Sequence, residues 1–133
     1  MPTSLPRELT RPVMVGSVQI GGGAPVVVQS MTCTPTSDTE ATLNQVRALA
    51  DGGCDVVRVT LPNRAAIDSF KAICDASPVP IIADIHFDYR LAIAAVDAGA
   101  AKLRINPGNI GSWEKVDAII DKAGSMGAAI RIG

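Results

Sequence analysis

Aromatic side chains are scarce in this chain, at 3% of its 133 residues. Any core it builds must therefore be aliphatic. Cysteines are few and badly spaced for chemistry. Cys33, Cys54 and Cys74 are an odd number with no Cys-x-x-Cys pair, which excludes a disulfide framework and a zinc or iron–sulfur ligand set built from them. Cys54 and Cys74 are expected as small buried apolar residues, and Cys33 follows a strand, close to where a site would lie. There is little net charge: the formal value of −1 argues against nucleic acid as the main partner. No run of apolar residues is long enough for a membrane span. The stretch from Met1 to Arg11 contains Pro2 and Pro6 and lacks the apolar centre of a signal peptide, so a cytoplasmic location is expected.

What the chain has is Val, Ile, Leu and Ala, within a hydrophobic content of 47%. Residues 1–12 read as a loose leader. Two short apolar pieces around Gly16-Ser17, spanning 13–20, predict a β-hairpin, and Gly21-Gly22-Gly23 a flexible turn after it. An alternation of strands and helices then begins. Strands are expected at 26–31, 56–60, 81–85, 102–106 and 129–132. Helices are expected between them: one capped by Ser37 with Glu40 reaching back and an apolar stripe of Leu43, Val46 and Ala50; one opened by Pro62-Asn63 with Ile67, Phe70 and Cys74 on one face; one over 89–98; and one capped by Ser112 with Trp113, Val116, Ile120 and Ala123 facing inward.

Such alternation gives βαβ crossovers and a parallel sheet. A doubly wound open sheet and a (β/α)8 barrel both fit. An eight-fold barrel needs roughly 200 residues or more, and this chain offers five strands, the last at its end. The expected fold class is α/β: a partial (β/α)8 TIM barrel, about the first five strands, preceded by a short β-hairpin. Residues 13–133 would be the N-terminal part of a substrate-binding barrel domain.

Three of the expected strands carry an arginine in an equivalent place: Arg58, Arg104 and Arg131. Arginine is seldom buried without a partner, because an unpaired buried cation costs several kcal/mol. An anionic ligand gripped by all three guanidinium groups, most simply a phosphate or diphosphate, explains the repetition. Three arginines facing solvent or carboxylates explain it more blandly. In both candidate architectures, ligands bind beyond the carboxyl ends of the strands. There the third strand ends in Asp84-Ile85-His86 and the fourth in Arg104-Ile105-Asn106-Pro107-Gly108-Asn109. Period-two alternation puts Asp84 with His86, and Arg104 with Asn106, on one face. Asp84 either serves catalysis or neutralises Arg58 and Arg104. His86, the one histidine, either touches ligand or holds structure. Asn106 and Asn109 flank turn chemistry, while Gly108 to Ser112 leads into a helix whose start could bind an anion.

Several strings resemble one family: Ala83-Asp84-Ile85-His86-Phe87-Asp88-Tyr89-Arg90, Leu103-Arg104-Ile105-Asn106-Pro107-Gly108-Asn109-Ile110-Gly111, Val28-Gln29-Ser30-Met31-Thr32, Gly53-Cys54-Asp55-Val56-Val57-Arg58-Val59 and Ile130-Arg131-Ile132-Gly133. They resemble the 4-hydroxy-3-methylbut-2-en-1-yl diphosphate synthases of the non-mevalonate isoprenoid pathway, from about Arg11 to Gly133. The resemblance implies an oxidoreductase with a TIM barrel that binds 2-C-methyl-D-erythritol 2,4-cyclodiphosphate and opens it by two-electron reduction with loss of water. It implies a [4Fe-4S] cluster on a second domain, with ligands not in this chain, electrons from ferredoxin or flavodoxin, and a homodimer. It implies that Arg58, Asp84, His86, Arg104, Asn106, Asn109 and Arg131 line the substrate pocket, with Asp84 and His86 expected as the catalytic residues and the others as substrate-binding ones. Cys33 stands where relatives often have Asn. Two other readings remain: a pterin-binding barrel like dihydropteroate synthase, and a non-catalytic phosphate-binding fragment.

Overall fold

The computed structural model describes residues 6–133. The first five residues of the expected leader lie outside the described residues. The rest of that segment is tied down, since the Thr10 hydroxyl accepts a hydrogen bond from the Gly22 amide at 2.9 Å. A hairpin of β1 (Val13–Val15) and β2 (Val18–Ile20) follows, antiparallel in register Val13 to Ile20. Gly21, Gly22 and Gly23 all have positive φ, a run of left-handed backbone that residues with a Cβ rarely adopt.

The remaining elements are β3 (Gln29–Met31), α1 (Thr39–Asp51), β4 (Val56–Thr60), α2 (Ile67–Ala76), β5 (Ile81–Asp84), α3 (Tyr89–Asp97), β6 (Lys102–Ile105), α4 (Pro107–Ile110), α5 (Trp113–Met126) and β7 (Ala129–Ile132). Strands β3 to β7 form one parallel sheet in sequence order.

The two faces of this sheet decide between the candidate architectures. Val57, Val59, Ile81, Ala83, Ile85, Leu103 and Ile105 point to one side, where they share a core with Val46, Phe70, Ile73, Leu91, Val96, Val116 and Ile119 from the helices. Val56 and Ile82 point to the other side, where they meet Val15 of the hairpin and no helix residue. A doubly wound sheet would carry helices on both faces. A sheet with helices outside and a hairpin against the lower part of its inner face is the arrangement of a TIM barrel closed from below. Gly16 of the hairpin lies against Pro80 and Ala101, at the points where β5 and β6 begin.

Local expectations are corrected in several places. The strand expected over 26–31 keeps only Gln29–Met31. Val26 and Val28 are exposed, and the Val28 amide donates to the Asp55 carboxylate at 2.9 Å instead of to a neighbouring strand. Asp38, not Ser37, caps α1, its carboxylate accepting from the Ala41 amide at 3.1 Å. The buried positions of α1 are Thr42 and Val46. Asn63 caps a 3₁₀ turn, Arg64–Ala66, ahead of α2. In α5 the buried positions are Val116, Ile119 and Ala123, while Trp113 is 75% exposed and Ile120 also faces out. Cys54 and Cys74 are half-buried at the margin of the core.

Candidate anion-binding site

The hydrogen-bond register fixes which side chains share the inner face. Met31 pairs with Arg58, Arg58 with Ile82, Ile82 with Lys102, and Lys102 with Ala129. Two residues nearer the carboxyl ends, Thr60 pairs with Asp84, Asp84 with Arg104, and Arg104 with Arg131. Arg58, Arg104 and Arg131 therefore lie on one face, with Asp84 between the first two.

Asp84 is the centre of the arrangement. It is 2% exposed. Its Oδ2 lies 3.6 Å from Arg58 Nε and 3.6 Å from His86 Nε2, and its Oδ1 lies 3.6 Å from Arg104 Nη1. These are ion-pair distances, too long for hydrogen bonds. Arg58 Nε and Asp84 Oδ1 are buried and have no hydrogen-bond partner. Arg58 Nη2 donates to Met31 Sδ at 3.3 Å. The carboxylate thus gathers the guanidinium groups without consuming their donors. A buried donor and a buried acceptor left unpaired cost about 1–3 kcal/mol each. An oxyanion and a hydroxyl of a ligand would relieve both.

Arg131 stands on the edge strand, exposed, and makes no ion pair with Asp84. Asn106 ends β6 and is half-buried. Its Oδ1 accepts from the Gly108 amide at 3.0 Å, which caps α4 with Pro107 in its first turn. That bond occupies an amide that the sequence had offered for anion binding. The short α4 is also separated from α5 by Gly111, so the expected single helix start is split. Asn109 is exposed on α4, and no contact joins it to the Asp84 cluster. Asp88 caps α3 and takes Arg90 as an ion-pair partner at 3.1 Å. The hydrogen bond from Arg90 holds the Asp88 carboxyl below its ordinary range. Past β7, Gly133 lies against Arg104, and any side chain there would run into the guanidinium.

Two inner-face residues went unnoticed in the sequence. Met31 supports Arg58, and Lys102 lies two positions before Arg104. The alternation that put Asn106 on this face applies equally to Lys102 when read backwards along the strand.

The cysteines do not fit an iron–sulfur cluster. Cys33 follows β3, Cys54 precedes β4 and Cys74 is in α2. Among the described residues no group of three His, Cys, Asp or Glu side chains could hold a metal. Cys33 is exposed, its Sγ accepting from Gln45 Nε2 at 3.1 Å. Burial, aided by Asp75, pushes the Cys74 thiol up to about 12. Iodoacetamide at neutral pH should therefore alkylate Cys33 well before Cys74, as peptide mass spectrometry would read. Equal rates would contradict the burial of Cys74. A hollow of about 330 Å³ between Ile20 and the 24–29 segment has no charged residue in its lining, so it is not the anion site.

Fold and site together define a TIM-barrel protein whose strand carboxyl ends present cations around one buried carboxylate. Residues 10–133 match the family described as the GcpE TIM-barrel domain, and the chain belongs to that family. It is 55% identical over 127 residues to the 4-hydroxy-3-methylbut-2-en-1-yl diphosphate synthase (flavodoxin) of Natranaerobius thermophilus, a match covering 96% of this chain and 36% of that protein. It is 54% identical over 127 residues to the protein of the same name from Lawsonia intracellularis, covering 96% and 35%. The chain spans about a third of the length of these curated relatives. Among solved structures, a dihydropteroate synthase from Xanthomonas albilineans superposes with a TM-score of 0.63 at 15% identity, over 90% of this chain and 48% of that one. One from Burkholderia cenocepacia gives 0.61 at 14%, over 92% and 63%. At such identities the likeness is one of fold alone.

Proposed function

We propose that this chain is the substrate-binding barrel portion of a 4-hydroxy-3-methylbut-2-en-1-yl diphosphate synthase, an oxidoreductase of isoprenoid biosynthesis. Its substrate is 2-C-methyl-D-erythritol 2,4-cyclodiphosphate, its electron donor flavodoxin or ferredoxin, and its place the cytoplasm. The working enzyme is a homodimer. A [4Fe-4S] cluster, for which the described residues offer no ligand set, would supply the two electrons. The observation that carries the reading is the inner-face charge inventory: Arg58 and Arg104 gathered around one buried carboxylate, Asp84, with Arg131 on the same face of the next strand.

Each residue then has a task. Arg58, Arg104 and Arg131 bind the diphosphate. Asp84 keeps Arg58 and Arg104 aimed, and its unpaired Oδ1 accepts from a substrate hydroxyl. His86, half-exposed beside Asp84, orients the substrate and is secondary as a proton donor. Asn106 and Asn109 border the opening. Ring opening leaves more negative charge on the diphosphate than the cyclic form carries. Cations already in place stabilise that developing charge more than they stabilise the bound ring, which is the condition for catalysis.

In the full-length enzyme, Arg104→Met should weaken cyclodiphosphate binding by about 1.5–3 kcal/mol, the worth of a charged hydrogen bond. Calorimetric titration measures this directly. Affinity equal to the parent's, or tighter binding of a pterin diphosphate, would overturn the reading.

A further inference from the structure

Lys102 is the one inner-face cation not yet given a task. It is only 9% exposed. Among the described residues its ammonium makes no hydrogen bond or ion pair. The only carboxylate on this face of the strands, Asp84, already serves Arg58, Arg104 and His86. The inner face therefore holds Arg58, Lys102, Arg104 and Arg131 against a single Asp, a surplus of positive charge that asks for a polyanion.

Register shows where Lys102 can act. It shares a cross-strand row with Arg58, separated from it by Ile82 on β5. Arg58 reaches from that row up to Asp84 in the next. Lysine has a stem of comparable length, and a diagonal neighbour on an adjacent strand is about 7–8 Å away. Arg131 is such a diagonal neighbour, because Lys102 pairs with Ala129, two residues before it. Burial, and then the nearness of Arg131, lower the Lys102 pKa, consistent with a partly desolvated ammonium on the side of Arg131.

We propose that Lys102 is a further substrate-binding residue, its ammonium forming the floor of the anion site and taking a phosphoryl oxygen of the diphosphate from below while the arginines grip it from the sides. This rests on the reading of the face as a cyclic diphosphate site. Leu103 and Ile105, which flank Arg104, point outward into the helix core. Lys102 is thus the single β6 side chain that can meet the ligand from beneath.

The test uses the full-length enzyme with Lys102→Met, Lys102→Gln and Arg104→Met, titrated with the cyclodiphosphate and with inorganic diphosphate. Thermal midpoints are read without ligand. Both Lys102 variants should bind each anion roughly ten- to hundredfold more weakly. Their ligand-free midpoints should be unchanged, because the Lys102 ammonium holds no partner among the described residues. If Arg104→Met loses binding and the Lys102 variants do not, the Lys102 assignment is overturned and the site stands. If no variant loses binding, the site itself is overturned. If either Lys102 variant melts lower or fails to fold, the side chain serves the fold instead of the ligand, and the proposal is likewise overturned.

Discussion

Asp84→Asn in the full-length enzyme should lower stability by about 3 kcal/mol. The amide keeps the shape of the carboxylate and removes its charge. Arg58 and Arg104 then face each other, with Lys102 and Arg131 close by, and no counter-charge remains among the inner-face strand residues. Removing one partner of a buried ion pair costs about 3–5 kcal/mol. The arginines are about a quarter exposed, so water offsets part of this and the low end is expected. Urea unfolding would show it as a shift of the midpoint at constant slope. Ligand binding separates charge from geometry. The variant has gained net positive charge, so inorganic phosphate should bind at least as well at low salt. The cyclodiphosphate should bind more weakly, because the guanidinium groups lose their alignment and a substrate hydroxyl meets a neutral, weaker acceptor. An unchanged urea midpoint would mean that solvent alone satisfies the two arginines.

Phe70→Ala should cost about 3–5 kcal/mol, the range for emptying a buried aromatic site. Phe70 is the largest fully buried side chain in the described structure. Phe87 and Trp113 are exposed and Tyr89 is half-buried. An aliphatic core has no second aromatic ring that can swing into the space. Phe70→Leu should cost less, since Leu fills most of the volume. Neither change touches the inner face, so anion affinity measured below the melting transition should be retained. A loss of affinity in Phe70→Leu would show that α2 positions the site, contrary to its place on the outer side of the sheet.

The order of elements and the composition of the inner face were legible because a strand obeys a short, rigid period. Arg58, Asp84 and Arg104 could be placed from alternation alone. What escaped depended on finer registration. Ser37 and Asp38 are both good cap residues, and only the chain path chooses Asp38. A helical stripe through Trp113, Val116 and Ile120 differs from one through Val116 and Ile119 by a small rotation, and packing against α3 sets it. A strand over 26–31 is expected because β-branched residues suit a ladder, while in the fold Asp55 takes the Val28 amide away from it. Lys102 is hard to see in the sequence because a lysine at the start of a strand resembles a boundary. Asn109 enters through family likeness, and its position on α4 is exposed, with no hydrogen bond or ion pair to the cluster among the described residues.

The hairpin beneath the sheet has a consequence for traffic. With Val15 seated against Val56 and Ile82, and Gly16 against Pro80 and Ala101 just before β5 and β6, the hairpin covers the lower end of the inner face. On the proposed reading, with the sheet continued into a closed barrel, a ligand held by the arginines would come in past the strand carboxyl ends and leave the same way. Substrate and product would then share one doorway, and each bound molecule would have to vacate the well before the next could enter.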